Sequence, residues 1–288
     1  MTLEQKSPTS IKIWSTDIKK VTMRPWGVET QLRPVIIPDY LCFTAGQANS
    51  TIGLRKQGTP NTTTLETSTD MENRSTYSFW TTITLSNVWD KIYRRNTSDE
   101  GIYFSSDANN YYRFYMSWNI AASWDVNFLL NKNSTDTVQD SCFRNLFGWC
   151  TALTTAPQLP ATTLGAYCYM AMFKWCTSLT TASSLPATTL KDQCYRALFQ
   201  DCTSLTTIPS LPATTLTSRC YYYMFLNCTN VKFSTTKGWI YQTAYRIPTS
   251  WTGTAASNSL TYMISGTWWS FTSDPSINTT YYTSNTLV

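Results

Sequence analysis

Histidine is absent from this chain of 288 residues. Its absence excludes histidine-based acid/base or triad catalysis and any metal site that depends on imidazole. Charged residues make up only 14% of the chain, and the few acidic ones are scattered through loop-type sequence, where turn formation is the expected role. No glycine-rich phosphate loop and no cluster of metal ligands occurs. We therefore expect no enzymatic activity and no cofactor.

Long apolar runs are missing as well. No segment approaches the roughly 20 apolar residues of a membrane-spanning helix, and the first 16 residues lack the apolar centre of a signal peptide. The net charge of +5 is spread over short runs such as Lys19-Lys20 and Arg94-Arg95 instead of forming a stripe. The sequence thus predicts neither membrane insertion nor binding to nucleic acid.

A unit of 26 residues occurs four times in succession in residues 142–233. Each unit holds two cysteines eight residues apart, and both series step by 26. Self-similarity at this period indicates stacked units, each of which buries its apolar face against its neighbours. The two series are Cys142, Cys168, Cys194 and Cys220, and Cys150, Cys176, Cys202 and Cys228.

The second unit shows what one repeat is expected to build. Leu164, Cys168 and Met172 recur every four residues, which predicts one buried face of a short helix that ends near Cys176. The segment 177–181 has the composition of a short strand. Prolines such as Pro186 then favour an extended backbone, because proline fixes φ and lacks an amide hydrogen. Each unit is therefore predicted as strand, extended turn and helix.

The repeat cysteines have three alternative roles. A disulfide framework is disfavoured in a chain without an export signal. Zinc binding is disfavoured because the spacing within a unit is C-x7-C and no C-x2-C occurs. We therefore predict that the eight thiols are small buried hydrophobes stacked in two structural ladders, while Cys42 stands alone on a predicted strand.

The repeating Met/Leu-Phe-x-x-Cys, followed by Thr-Ala/Ser-Leu-Thr-Thr and a Leu-Pro stretch, resembles the BspA-like leucine-rich repeat over about a third of the chain. The resemblance implies a curved, right-handed solenoid that is used for binding and adhesion on bacterial surfaces. In its cysteine-rich version it implies a protein encoded by gut bacteriophages. The expected fold class is mostly β: an antiparallel β-sandwich followed by a leucine-rich-repeat solenoid.

Four regions are predicted along the chain. Residues 1–38 form docking hairpins and a linker, residues 39–137 a β-sandwich, residues 138–233 the solenoid and residues 234–288 a C-terminal cap, in which 259–266 echoes the repeat without its cysteine. In the first region Ile11, Ile13, Ile18 and Val21 are candidates for docking to a virus particle. An ordinary hairpin packed on the next domain is the alternative.

The sandwich is predicted from seven short β-type runs separated by Gly, Asn, Asp and Ser clusters. Its topology, of immunoglobulin or jelly-roll type, cannot be derived from the sequence. The seven runs are residues 40–45, 51–56, 62–67, 80–85, 91–95, 111–118 and 124–130.

Tryptophan is unusually placed in this sequence. The residue before the second cysteine of each unit is Trp149, Trp175, Asp201 and Asn227, at a turn where glycine, asparagine and aspartate are suited to a left-handed backbone. We expect that several tryptophans stand where the backbone needs glycine, through real substitution or through an indirectly inferred sequence. A row of exposed platforms for sugars is the alternative. Further turn-like places hold Trp14, Trp26, Trp80, Trp89, Trp118, Trp124, Trp251 and Trp268-Trp269.

Two non-enzymatic functions are compatible with these features. In the first, the protein is a bacteriophage virion surface protein, a fibre or decoration that displays the solenoid for adhesion to a host or mucosal surface. Its expected partners are other virion proteins, copies of itself, with a trimer as one form, and a host glycan or protein. In the second, it is a secreted bacterial cell-surface adhesin. The intact-looking start at Met1 favours the first.

Aromatic residues of the repeat are the candidates for ligand contact in both functions. Packing between successive units is their alternative role. The candidates are Tyr169, Tyr195, Tyr221 and Tyr222.

Overall fold

The computed structural model describes residues 21–23, 30–32, 39–59, 64–97, 104–131, 136–269 and 274–288. The chain divides into two units, Met1–Pro38 and Asp39–Val288. In the first unit the described residues form an antiparallel pair, β1 (Val21–Met23) and β2 (Thr30–Leu32). The docking candidates Ile11, Ile13 and Ile18 lie outside the described residues. Val21 begins β1, but its side chain is also outside them.

The second unit is mostly β, with short strands and turns. Its first half contains β3 (Leu41–Ala45), β4 (Ser50–Gln57), β5 (Leu65–Ser68), β6 (Ser75–Thr76), β7 (Thr82–Leu85), β8 (Lys91–Asn96), β9 (Tyr111–Ser117), β10 (Ile120–Ser123), the 3₁₀ helix Val126–Leu129 and β11 (Thr137–Val138). Its second half contains β12 (Leu153–Thr155), β13 (Thr163–Leu164), β14 (Thr207–Ile208), β15 (Thr215–Leu216), β16 (Lys232–Ser234), β17 (Thr243–Arg246), β18 (Thr254–Ala255), β19 (Trp268–Trp269), β20 (Thr280–Thr283) and β21 (Thr286–Leu287).

Two sheets face each other in the first half. One has the order β12-β10-β3-β8-β5-β6 and the other the order β7-β4-β9. Alternation along the strands turns Phe43 of β3 and Phe114 of β9 inward, and their ring centroids are 5.0 Å apart. The segment predicted as a strand over residues 124–130 is instead the 3₁₀ helix, because the Asp125 carboxylate accepts a hydrogen bond from the amide of Asn127 and caps a turn.

The repeats stack on one another in parallel, one 26-residue unit after the next. Thr163 pairs with Thr189, and Thr189 pairs with Thr215. The stack continues directly from the six-stranded sheet, since β12 pairs in parallel with β10. β11 and β13 form a separate parallel pair. One apolar core therefore runs without a break from the sheets into the repeats.

The helix predicted in each unit is wrong. A ribbon of consecutive turns occupies its place, with a left-handed residue at every fourth position: Tyr167, Ala171 and Trp175 in the second unit. A left-handed residue interrupts an α-helix, which needs negative φ throughout. The apolar spacing of four residues does not distinguish the two conformations, because it also matches the repeat of the ribbon.

Hydrogen bonding explains why the ribbon is favoured. Alternate amides close turns within the ribbon, as when the amide of Cys176 donates to the carbonyl of Phe173 at 3.1 Å. The amides between them donate to the next unit, as Phe173 does to Leu198 at 3.0 Å and Trp175 to Gln200 at 2.9 Å. A helix would keep these bonds within one unit, whereas the ribbon joins each unit to its successor.

Side chains at equivalent positions form continuous ladders through the core. The rings of Phe173 and Phe199 stack with centroids 5.5 Å apart, and Tyr169 and Tyr195 stack at 5.8 Å. The phenylalanine ladder begins at Phe114 in β9, whose ring stacks on Phe147 at 5.0 Å. Strand β9 thus covers the first repeat.

Residues 258–266 repeat the ribbon once more at the far end. The amides of Phe225 and Asn227 donate to the carbonyls of Met263 and Ser265, as an amide of any earlier unit donates to the next. Gly266, with a φ of 70°, occupies the place of Trp175 and Asn227. This segment therefore covers the last repeat.

Seven tryptophans have a left-handed backbone. In the described chain the affected residues are Trp80, Trp89, Trp118, Trp124, Trp149, Trp175 and Trp251, with φ between 58° and 77°. Trp268, which the sequence also placed in a turn, begins a strand, and Trp14 and Trp26 lie outside the described residues. A left-handed L-residue costs about 1–2 kcal/mol, so seven together approach the 5–15 kcal/mol that stabilises a whole domain.

Removing one rung of a ladder is expected to destabilise the whole stack. Leu179 is fully buried, as are Leu153 and Leu205 at the same place in the neighbouring units, so Leu179→Ala should lower the free energy of unfolding by about 2–5 kcal/mol. Ile240→Ala, at a side chain that is 57% exposed, is the matched control and should change it by less than about 0.5 kcal/mol. Urea unfolding followed by circular dichroism measures both. Equal effects would contradict the ladder as a source of stability.

Candidate functional site

A pair of arginines stands on the outer face of the three-stranded sheet. Arg55 of β4 and Arg113 of β9 are direct partners in the antiparallel register. Their neighbours Leu54 and Phe114 are fully buried, so alternation turns both arginines away from the core. Cross-strand partners have Cβ atoms about 5 Å apart, and like charges at that distance destabilise the pair.

Tyr115 lies between the two guanidinium groups. The Arg55 Cζ atom is 3.9 Å from the centre of the Tyr115 ring, and the Arg113 Cζ atom is 4.8 Å from it. Arg113 Nη2 also donates a hydrogen bond to the Tyr115 hydroxyl at 2.9 Å. The ring face attracts both cations and holds them close together.

No carboxylate neutralises this pair within the described part of the chain. An ion pair on the other sheet joins Arg95 to Glu66 at 3.0 Å, and neither Arg55 nor Arg113 makes such a contact. The face is therefore electropositive and has guanidinium donors free for an anion.

A shallow depression surrounds the pair, and we call it the arginine patch. Aromatic rings border it: the Trp80 ring centre is 5.9 Å from the Arg55 Cζ atom, and the Trp149 ring centre is 5.2 Å from the Arg113 Cζ atom. The patch itself consists of Arg55, Lys56, Gln57, Tyr111, Arg113 and Tyr115, with Trp80 in its wall.

The sequence did not point to this site. Both strands were expected, but the face-to-face register of Arg55 and Arg113 is a long-range pairing that no local pattern shows. The sequence pattern that could have indicated the site is the alternation Tyr111, Arg113, Tyr115, which places two aromatic rings and a cation on one face of a strand.

The tyrosines predicted to contact a ligand lie elsewhere. Tyr169, Tyr195 and Tyr221 are at most 1% exposed and stack inside the core, so the alternative of packing between units describes their position. Tyr222 is half-buried, with the Arg196 Cζ atom 5.3 Å from its ring centre. Its ring adjoins Tyr223 at a centroid distance of 4.0 Å. The structure does not bring these four residues together into one surface.

The eight repeat cysteines are free thiols and are buried. In the second series Cys150 donates to the carbonyl of Phe114 in β9 at 3.1 Å. The others donate to a phenylalanine carbonyl of the preceding unit, as Cys176 does to Phe147 at 3.1 Å and Cys202 to Phe173 at 3.0 Å. Burial raises the pKa of the Cys142 and Cys150 thiols to about 12. They are consequently poor nucleophiles and serve as packing groups.

Arg94 is a second unusual cation, in the core of the sheets. It is fully buried, and its Cζ atom lies 3.8 Å from the centre of the Tyr77 ring. Burial lowers its pKa to about 10. Because it is enclosed, it belongs to the packing between the sheets and not to the arginine patch.

Comparison of the chain with protein-family models, with curated proteins and with solved structures gives no match. Among the described residues no cluster of three or more histidine, cysteine, aspartate or glutamate side chains could hold a metal ion. The same part of the chain contains no helix of the length and apolarity that crossing a membrane requires. The arginine patch is therefore identified from its geometry and not from a similar protein.

The buried thiols predict a loss of stability in alkali. The folded protein keeps these protons, whereas an unfolded thiol releases its proton near pH 9, so raising the pH above 9 favours unfolding. Stability should be unchanged below about pH 9 and then fall toward pH 12 by about 1.4 kcal/mol per pH unit for each buried thiol. Guanidinium unfolding at pH 8 and pH 10 measures this.

Cys176→Ala is the matched variant, because it removes one of the buried thiols that stay protonated in the folded protein. It should flatten the pH dependence while lowering stability at pH 8. Equal unfolding midpoints at pH 8 and pH 10 for the unmodified chain would contradict the prediction.

Proposed function

We propose that the protein is a non-enzymatic adhesion protein whose arginine patch binds an acidic glycan. The observation that carries the proposal is the direct pairing of Arg55 with Arg113 without a carboxylate partner in the described chain. A like-charged pair opposes folding, so an anion that bridges it would remove a repulsion as well as form new bonds.

The patch suits an acidic sugar better than a free metabolite. Two guanidinium groups present planar donors for a carboxylate or sulfate group, and the aromatic residues Tyr111 and Trp80 line the same depression. The depression is small, with a volume of about 30 Å³, which fits a single charged group displayed on a polymer. A small molecule would need a deeper pocket to bury most of its surface.

The stacked units support the further proposal that residues 142–233 form a solenoid related to BspA-like leucine-rich repeats. The 26-residue period, the parallel pairing from unit to unit and the continuous phenylalanine and tyrosine ladders all support it. The turn ribbon replaces the expected helix. The related unit would therefore be strand, extended turn and ribbon.

The surface of a bacteriophage virion is the location that we favour, with a bacterial cell surface as the alternative. Free thiols that are enclosed in the core suit a chain that folds in a reducing cytoplasm, and virions are assembled there. Many copies on one particle would raise weak single-site binding to useful avidity. The partners would then be other virion proteins and copies of this chain.

Charge-removing substitutions in the patch test the glycan proposal. We expect the unmodified protein to bind a sulfated or sialylated oligosaccharide in biolayer interferometry, more weakly at high salt, and not to bind neutral dextran. Arg55→Gln and Arg113→Gln should each weaken binding by about 10- to 100-fold, the worth of a hydrogen bond to a charged group. The unfolding midpoint should stay the same or rise, because a repulsion is lost.

Lys237→Gln is the control for charge alone. It removes one positive charge at an exposed position after β16, outside the patch, and should leave binding unchanged. Equal loss of binding in Lys237→Gln, or full binding by the Arg55→Gln, Arg113→Gln double variant, would contradict the patch as the binding site.

The location has its own test. Mass spectrometry of purified particles of the phage that carries the gene should detect this chain, and mass photometry should show the purified protein adding to particles that lack it. Absence from the particles together with recovery from a bacterial envelope fraction would favour the bacterial surface.

A further inference from the structure

Tryptophan is concentrated at left-handed backbone positions. In the described chain 22 non-glycine residues have a positive φ, and seven of them are tryptophan. Tryptophan holds 12 of the 288 positions, so in proportion it would occupy about one of those 22. The other residues in this set include asparagine and aspartate, which tolerate the conformation, and members of the turn ribbons.

Ordinary turns show the same concentration without any contribution from the ribbons. Of the eight left-handed non-glycine residues outside the ribbons, five are tryptophan: Trp80, Trp89, Trp118, Trp124 and Trp251. The other three are Asn49, Asn278 and Met71. A bulky side chain is therefore commonest at the places where a bulky side chain is least suited.

Two of these turns have the geometry that demands glycine. The amide of Thr81 donates to the carbonyl of Ser78 at 3.2 Å, which makes Trp80 the third residue of a β-turn with a φ of 77°. The amide of Asp90 donates to Asn87 at 3.3 Å, and Trp89 stands at the same place with a φ of 72°. A positive φ at this position marks a type II turn, which takes glycine or asparagine there.

The repeats give an internal comparison. One turn position recurs five times and has a φ between 60° and 70° in every unit. In three units the residue at this position is one that a left-handed backbone favours, namely Asp201, Asn227 and Gly266. In the other two it is Trp149 and Trp175.

The indoles contribute little to the packing that could explain them. Trp89 is 75% exposed and Trp251 is 82% exposed, and Trp80 and Trp118 are also exposed. Trp124 stacks on Tyr93 with a centroid distance of 5.6 Å, and the Trp80 and Trp149 rings contact the guanidinium groups of the arginine patch. The backbone and not the side chain is what these positions have in common.

We propose that the protein is built for glycine at these seven positions, and that the cell that makes it decodes their codons as glycine. The codon UGA is assigned to tryptophan in some genetic codes and to glycine in others. If the seven codons are UGA, one genetic code translates them as tryptophan and another translates them as glycine. With glycine at positions 80 and 149 the arginine patch would lose the two indole rings that border it and keep Arg55, Arg113 and Tyr115.

Single glycine substitutions test the backbone requirement. Trp80→Gly, Trp89→Gly, Trp149→Gly, Trp175→Gly and Trp251→Gly should each raise the urea midpoint and increase the folding equilibrium constant by roughly tenfold. Trp124→Gly should give the smallest gain, because it loses the stack on Tyr93. Trp239→Gly and Trp268→Gly, where φ is not positive, are the controls and should give no gain.

A chain with all seven substitutions covers the case in which the tryptophan form does not fold. Cooperative unfolding of the seven-glycine chain, beside a tryptophan chain that is less stable or aggregates, supports the proposal. A tryptophan chain that is as stable as the seven-glycine chain overturns it.

Peptide mass spectrometry of the protein from its natural source gives a direct reading. Glycine at the seven positions, with UGA as their codon in the gene, is the expected result. Tryptophan in those peptides, or UGG at those codons, would overturn the proposal whatever the stability measurements show.

Discussion

The hydrogen bonds from each turn ribbon to the next constrain the whole structure. Alternate amides of a ribbon point out of their own unit, so a unit without a successor would leave about half of them without a protein partner. The stack therefore needs a covered end on each side. Strand β9 supplies one, through Phe114 and its contact with Phe147, and residues 258–266 supply the other.

This constraint also explains why the two facing sheets and the repeats share one core. Strand β9 has two roles at once: its inward side chains begin the phenylalanine ladder, and its outward side chains include Arg113 and Tyr115 of the arginine patch. The proposed binding surface is therefore built on the strand that covers the first repeat. A site held on paired strands keeps its guanidinium groups in fixed positions, which favours recognition of a planar anion.

Residues with a left-handed backbone occur both inside and outside the turn ribbons, and the two groups differ in what stabilises them. The ribbon requires a left-handed residue every fourth position, and Tyr167, Ala171 and Gln193 show that it can impose this conformation on ordinary side chains. Outside the ribbons Trp124 stacks on Tyr93, whereas the indoles of the other left-handed tryptophans are exposed, so packing does not explain why tryptophan stands there. All seven tryptophan positions thus have a backbone conformation that suits glycine and not a bulky side chain.

The sequence alone determined which residues are equivalent, because the 26-residue period assigns Cys168 and Cys194, or Leu179 and Leu205, to the same place in successive units. It also indicated a mostly β chain, and it singled out Trp149 and Trp175 as misplaced. Only the tertiary structure decided between helix and ribbon, since apolar residues four apart suit both and the choice depends on amides that reach the next unit. It alone brought Arg55 opposite Arg113, because strand register is set by the facing sheet and the shared core, not by the residues of either strand.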